Sequence, residues 1–82
     1  MKPCKIKIKY DETVAEITGT REQEPIINEN LPFVMMLHFI FSSYPKMIKR
    51  FPPGKLAFTL NNHPPLEFET LCDGDEISLF VP

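Results

Sequence analysis

The fold of this chain is decided by its last twelve residues, Leu71-Cys72-Asp73-Gly74-Asp75-Glu76-Ile77-Ser78-Leu79-Phe80-Val81-Pro82. The Asp-Gly pair in this stretch favours a tight turn, because glycine adopts a positive φ without a Cβ clash. The residues after the turn alternate in the period of two that is typical of a strand. The alternation predicts that Ile77 and Leu79 face inward. Ser78 and Phe80 then face outward.

Length and composition indicate one small domain over residues 1–82, with 43% hydrophobic and 24% charged residues. A net charge of −2 gives no electrostatic case for binding nucleic acid. No apolar run approaches the roughly 20 residues that a membrane span needs. The N-terminus leads into alternating lysine and isoleucine, which differs from the apolar region of a signal peptide. We therefore expect a cytoplasmic protein that does not act at a membrane.

Alternation also predicts strands upstream of the terminal one. They cover residues 4–10, 21–27, 55–60 and 66–70. The first has three lysines on one face, which we expect to look at solvent or at an acidic partner. Pro25 lacks a donor for the ladder, so the second strand is predicted at a sheet edge. In the fourth, Leu66 and Phe68 are predicted to point inward.

A helix is predicted from Leu31 to Ser43, since Asn28–Asn30 offer capping side chains and a proline in the first turn costs no hydrogen bond. A short helical turn or loop is expected over residues 11–19, and another turn over 47–49. At about 100° per residue, one side of the main helix forms a core-facing stripe. Its members are Phe33, Val34, Leu37, Ile40, Phe41 and Tyr44.

The opposite side of this helix is also apolar. Met35, Met36 and Phe39 lie there, and a helix that rests on one sheet buries only one stripe. We therefore expect these three side chains to be at least partly exposed and to serve self-association or a larger partner. The alternative is that the connection Phe51-Pro52-Pro53 folds back and covers them.

The predicted order is strand, strand, helix, strand, short strand, strand. This order indicates an α+β domain with a mixed sheet of about five strands and one main helix across one face. The expected core consists of seven residues from the helix and the strands. They are Ile6, Ile8, Leu37, Ile40, Phe58, Ile77 and Leu79.

The sequence predicts no catalytic, cofactor or metal site. His38 and His63 lack other ligands at metal-binding spacing. Cys4 and Cys72 are too few for a disulfide framework, and we expect both to be reduced, half-buried packing residues. The acidic residues of the C-terminal turn are interpreted as turn formers and solvated charge. We therefore expect a protein that is not catalytic on its own.

The C-terminal stretch and Val14–Arg21 resemble the ubiquitin-like sulfur-carrier family, notably the small subunit of molybdopterin synthase and more distantly the thiamine-pathway sulfur carrier. The resemblance implies a β-grasp fold, with the first and last strands parallel at the sheet centre. It also implies a place in molybdenum cofactor biosynthesis, with the large subunit of molybdopterin synthase as partner. In that family an ATP-dependent activating enzyme adenylates a C-terminal Gly-Gly tail. This sequence ends at Pro82, so we expect no sulfur transfer by these 82 residues as written.

Three interpretations follow from the resemblance. In the first, the chain is a molybdopterin-synthase small subunit whose last few residues are absent from this sequence or removed by processing. In the second, it is a relative that kept partner binding and lost carrier chemistry, and in the third it is a general ubiquitin-like interaction module. In the first two, Phe80, Val81 and Pro82 are expected to contact the large subunit, because an outward Phe on a central strand has no core to bury it.

Overall fold

A computed structural model describes residues 2–52, 54–66 and 68–82. Six strands and three helices lie in this part of the chain. They are β1 (Pro3–Lys5), β2 (Lys7–Tyr10), α1 (Glu12–Thr18), β3 (Glu22–Gln23), β4 (Ile26–Asn28), α2 (Phe33–Ser43), α3 (Lys46–Arg50), β5 (Ala57–Leu60) and β6 (Glu76–Phe80).

The centre of the molecule is the parallel pair of β2 and β6, in which Ile8 lies opposite Ile77 and Tyr10 opposite Leu79. Antiparallel β3 and β5 flank this pair, which gives a four-stranded sheet in the order β3-β2-β6-β5. The predicted mixed sheet with parallel first and last strands is therefore confirmed, as is the main helix on one face.

The predicted first strand is divided at Ile6. Its first part, β1, pairs with β4 in a separate two-stranded ribbon, whereas β2 pairs with β3. Pro25 separates β3 from β4, and its carbonyl accepts a hydrogen bond from the Ile6 N–H at 3.2 Å. Proline has no N–H to return to the partner strand, so the ladder is interrupted on both strands at this level. β3 lies at the sheet edge, as predicted.

Helix α1 is longer than the single turn expected from the sequence. The Asp11 carboxylate caps it by accepting from the Val14 N–H at 2.7 Å, and Gly19 ends it with a φ of 77°. Helix α2 begins at Phe33 and not at Leu31, because Pro32 takes the extended conformation of a cap residue.

The core is built from the inward sides of β2, β6 and α2. Of the seven predicted core residues only Phe58 is half-buried, with its ring 5.8 Å from that of Phe33, and the others are buried. The buried side of α2 is Phe33, Met36, Leu37 and Ile40.

Two predicted positions on α2 are wrong. Val34 is 52% exposed, whereas Met36 is only 7% exposed. The buried stripe is rotated by roughly 50° around the helix axis from the predicted one. The cause is the β1–β4 ribbon with the proline that precedes β4, because Ile27 and Pro25 line a groove together with Met36 and extend the core toward that side.

The predicted strand over residues 66–70 is also wrong for the residues that the structure describes there. Leu66 and Phe68 are 73% and 86% exposed, and Glu67 lies outside the described residues. The backbone instead crosses the start of α2, where the Glu69 carbonyl accepts from the Phe33 N–H at 2.9 Å. Leu71, which is fully buried, supplies the apolar anchor of this segment.

Candidate partner interface

The C-terminal turn fixes how β6 enters the sheet. The Asp75 N–H donates to the Cys72 carbonyl at 3.1 Å, and Gly74 has a φ of 86°. One oxygen of the Asp73 carboxylate accepts from the Lys5 N–H at 2.8 Å, and one of Asp75 accepts from the Cys72 N–H at 2.7 Å. The acidic side chains therefore form the turn, as predicted, and also tie it to the N-terminal part of the sheet.

Along β6 the side chains alternate between the two faces of the sheet. Ile77 and Leu79 are buried against α2, whereas Ser78 and Phe80 are half-buried on the opposite face. Phe80 lies opposite Ala57 of β5, and Ser78 lies opposite Thr59. We call the face formed by Ser78, Phe80, Val81, Pro82 and their cross-strand neighbours the outer sheet face. It presents one aromatic ring beside the small side chains of Ala57 and Thr59 on the β5 side and the Lys9–Glu76 ion pair on the β2 side.

The lysines of the first strands are paired within the domain. Lys9 Nζ lies 2.9 Å from a Glu76 carboxylate oxygen, and this hydrogen bond raises the pKa of Lys9. Lys7 lies 3.6 Å from Glu22, while Lys5 pairs with Glu24 of the β3–β4 connection. The acidic partner expected for the lysine face is thus, in part, the same chain.

Asp11 fixes the point at which the chain leaves the sheet. Its second carboxylate oxygen accepts from the Val81 N–H at 2.8 Å, and its own N–H donates to the Leu79 carbonyl at 3.1 Å. The carboxylate therefore continues the β2–β6 ladder by one step after the strands end. Asp11 was not among the predicted site residues, although an Asp directly before a helical segment is the common signal for a cap.

The second predicted surface lies on the outward side of α2. Met35 and Phe39 are 42% and 46% exposed, but Met36 is buried and does not belong to it. Ile26 of β4, which is 71% exposed, borders the same groove as Phe39. We call Met35, Phe39 and Ile26 the helix patch.

The six residues predicted to bind partners therefore do not form one site. The outer sheet face and the helix patch lie on opposite sides of the sheet, because α2 packs on the inner face. The alternative, in which the connection at Phe51 and Pro52 covers the outward side of α2, is wrong for these two residues. They lie beside Phe41 and Met47 instead. Pro53, the last residue of that connection, lies outside the described residues.

The two cysteines have opposite environments. Cys4 is buried, and burial together with the Asp73 and Glu29 carboxylates raises the pKa of its thiol. Cys72 is exposed, so neither cysteine is half-buried as expected. His63 and Glu69 stand 4.0 Å apart, and no group of three metal-ligating side chains occurs in residues 2–52, 54–66 and 68–82.

The fold is the ubiquitin-like β-grasp, in which the first and last strands lie parallel at the sheet centre with a helix across one face. No protein-family model and no curated protein matches the chain. No helix among the described residues is both long and apolar enough to cross a membrane.

Solved structures give the particular likenesses. A putative molybdopterin converting factor, subunit 1, from Pyrococcus furiosus is 22% identical with a TM-score of 0.82, covering 96% of this chain and 98% of its own. The small archaeal modifier protein 1 of Haloferax volcanii is 20% identical with a TM-score of 0.77, covering 96% and 98%. Ubiquitin of Caldiarchaeum subterraneum is 20% identical with a TM-score of 0.62, covering 99% and 95%. These likenesses extend over nearly the whole chain and show its fold.

Proposed function

We propose that this chain is a sulfur-carrier-type β-grasp subunit that docks onto a larger protein through its outer sheet face. The partner is a protein similar to the large subunit of molybdopterin synthase. One observation carries the proposal: Phe80 stands outward on a central strand, beside the point where the chain leaves the sheet.

The surroundings of Phe80 suit a binding anchor. Its cross-strand neighbour Ala57 is too small to cover a phenyl ring, so a partner surface would remove additional apolar area from water. The strands β2 and β5 pair with β6 and already hold its backbone in place, so binding should cost little conformational entropy there. Aromatic side chains in such positions often supply most of the binding free energy.

The exit of the chain supports a carrier role. Asp11 holds the Val81 N–H, so a residue attached to Pro82 would begin beside Phe80 and in a fixed direction. A partner bound at the outer sheet face would then lie next to the start of that extension. The small converting-factor subunit and the archaeal modifier that share this fold support the same assignment.

Docking is tested with a purified molybdopterin-synthase large subunit and isothermal titration calorimetry. Phe80→Ala should weaken binding by about 2 kcal/mol or more, roughly 30-fold, because the anchor is removed. Phe39→Ala is the matched control, since it deletes a ring from the opposite side of the molecule. Circular dichroism checks that both variants are folded. Equal affinities of the parent chain and the folded Phe80→Ala variant would contradict docking through this face.

Carrier chemistry is tested separately with a cognate activating enzyme. The 82-residue chain and the same chain extended by a few residues ending in Gly-Gly are compared in an ATP–pyrophosphate exchange assay. We expect exchange only with the extended chain, because a carboxylate on Pro82 stands one residue beyond the Val81 N–H that Asp11 holds. A flexible glycine tail can enter a narrow active site. Exchange by the unextended chain would contradict this expectation.

The helix patch favours a second candidate, a β-grasp interaction or regulatory module without carrier chemistry. A carrier that docks by its outer sheet face has no need of a second exposed apolar cluster on the other side. If the extended chain folds, binds the large subunit and yet shows no exchange, this second function is the better one.

A further inference from the structure

An apolar pocket of about 330 Å3 opens beside β5, on the side of the sheet that carries the helices. Its described lining includes Phe41, Met47, Ile48, Phe51, Leu56 and Phe58. Met47 is fully buried, whereas Ile48 is 56% exposed. Neither the outer sheet face nor the helix patch includes any of these side chains.

Strand β5 borders this pocket and is an edge of the four-stranded sheet. The Asn61 N–H donates to the Glu76 carbonyl at 2.8 Å, and hydrogen-bonded pairs alternate along an antiparallel ladder. The N–H and C=O of Phe58 therefore point away from β6, toward the free edge. The equivalent groups of Leu60 are already bonded to His63, at 2.9 and 3.1 Å. Phe58 is thus the β5 residue that offers a donor and an acceptor next to the pocket.

The surroundings of the pocket are basic in a chain whose net charge is −2. Residues 30–66 contain no Asp or Glu, and their basic residues are Lys46, Lys49, Arg50 and Lys55. Arg50 is bound to Glu16 at 2.7 Å. Lys49 and Lys55 are exposed, each is adjacent in the chain to a lining residue, and neither forms a salt bridge within residues 2–52, 54–66 and 68–82.

We propose that the β5 edge and this pocket bind an extended, acidic and apolar segment of a partner protein. The segment adds to β5 as a short strand, places one apolar side chain in the pocket and directs acidic side chains to Lys49 and Lys55. Three independent features agree on this occupant: an unpaired strand edge, an apolar cavity and a positive rim. The site lies apart from the outer sheet face, so it serves a different contact.

The register of the added strand follows from the pleat. A residue that pairs with Phe58 places its side chain on the same face as the Phe58 ring, which lines the pocket. Its immediate neighbours point to the other face of the sheet. The residues two positions away return to the pocket side, where one of them runs toward Leu56 and Lys55. An apolar residue flanked at a distance of two by acidic residues therefore fits the site.

The probe is the N-acetylated peptide amide Asp-Glu-Val-Leu-Val-Glu-Asp, titrated to about 1 mM into the isotope-labelled 82-residue chain. Backbone amide chemical shifts are followed by NMR. We expect the largest changes at Phe58, Leu56 and Ile48. Changes centred on Phe80 or on the helix patch, or no changes at 1 mM, overturn the proposal.

Two altered peptides separate the contributions. A peptide with lysine in place of every Asp and Glu should lose binding, because it meets the positive rim with like charge. A peptide N-methylated at its central Leu lacks the N–H that bonds the Phe58 carbonyl and should also lose binding. Binding of the lysine peptide equal to that of the parent peptide overturns the charge assignment, and equal binding of the N-methylated peptide overturns strand addition.

Variants of the chain complete the test. Lys49→Glu combined with Lys55→Glu should weaken the parent peptide about tenfold at low salt. Lys2→Glu is the matched control, because Lys2 is also exposed but precedes β1, and it should change the affinity by less than about twofold. Ile48→Ser, at an exposed position, should weaken binding without unfolding the chain. If the double variant and a control with two charge reversals in or next to β1, Lys2→Glu with Lys5→Glu, weaken binding equally, net charge alone explains the effect and the site is overturned.

Discussion

Strand β6 and helix α2 both carry apolar side chains on two opposite sides, but they hold their outward side chains differently. β6 lies between β2 and β5, so Ser78 and Phe80 are flanked by cross-strand neighbours and are half-buried. α2 is packed along one side only, and its outward Val34, Met35 and Phe39 are between 42% and 52% exposed.

The difference separates two kinds of binding surface. The outward side of β6 is ordered before a partner arrives, which favours one specific complex. The outward side of α2 includes a methionine, whose flexible thioether chain adapts to different neighbours. The outer sheet face is therefore suited to a single docking partner, and the helix patch to a less specific contact such as self-association.

The largest expected effect on stability comes from a substitution on the inward side of α2. Leu37→Ala should lower the free energy of unfolding by about 2–5 kcal/mol, because it leaves a cavity against the sheet. Val34→Ala on the same helix is the control and should cost less than about 1 kcal/mol, since Val34 is exposed. Thermal melts followed by circular dichroism measure both. Equal melting temperatures for the two variants would place the helix in another orientation.

The two adjacent methionines test the boundary between the sides of α2. Met36→Ser should destabilise the chain by about 2 kcal/mol or more, because it buries a hydroxyl and removes core volume. The double variant Met35→Ser with Phe39→Ser should change stability by less than about 1 kcal/mol. Sedimentation then decides the use of the helix patch, because a lower apparent mass of the double variant indicates self-association. An unchanged monomeric mass of both chains would exclude that use.

The order at the end of β6 is tested through Asp11. Asp11→Ala removes both the cap of α1 and the acceptor of the Val81 N–H, with an expected cost of about 1–2 kcal/mol. Asp11→Asn keeps a capping oxygen but has one oxygen for two N–H donors, so it should cost less. Amide hydrogen exchange at Val81 should accelerate in both variants. If exchange there stays slow, something other than Asp11 holds the exit of the chain.

The smallest expected effect is the pH dependence of stability that comes from Tyr10, on the inner side of the sheet. Tyr10 is buried and donates its O–H to the Gln23 side-chain oxygen at 2.6 Å, and burial raises the pKa of its phenol well above the ordinary 10.0. The folded state thus favours the neutral phenol, so this contribution to stability is complete below pH 10.0 and is lost as the pH rises above it. Denaturant unfolding at a series of alkaline pH values measures the loss. Tyr10→Phe should make this alkaline loss of unfolding free energy smaller. If the unfolding free energy of the variant falls with pH as steeply as that of the parent chain, another group is responsible.

The sequence by itself determined the existence of the main helix, the terminal strand and the two faces of β6. A strand has a period of two, so a single polar residue such as Ser78 is enough to assign every neighbour to a face. The Asp-Gly turn and the prolines mark boundaries through their own backbone preferences, which do not depend on distant residues. The outward position of Phe80 followed from these local rules, whereas the parallel central pair was implied by the family resemblance.

Only the tertiary structure decided how α2 is rotated and where the C-terminal exit is held. Nearly every side chain of α2 is apolar, so no polar side fixes its orientation, and the ribbon that stands beside Met36 comes from a different part of the chain. Leu66 and Phe68 alternate as in a strand, but no strand of the described chain lies in register to pair with them. Asp11 and Val81 are 70 residues apart, and a contact at that separation has no local signal. Local preferences act over a few neighbouring residues, whereas these features depend on which distant surfaces meet when the core closes.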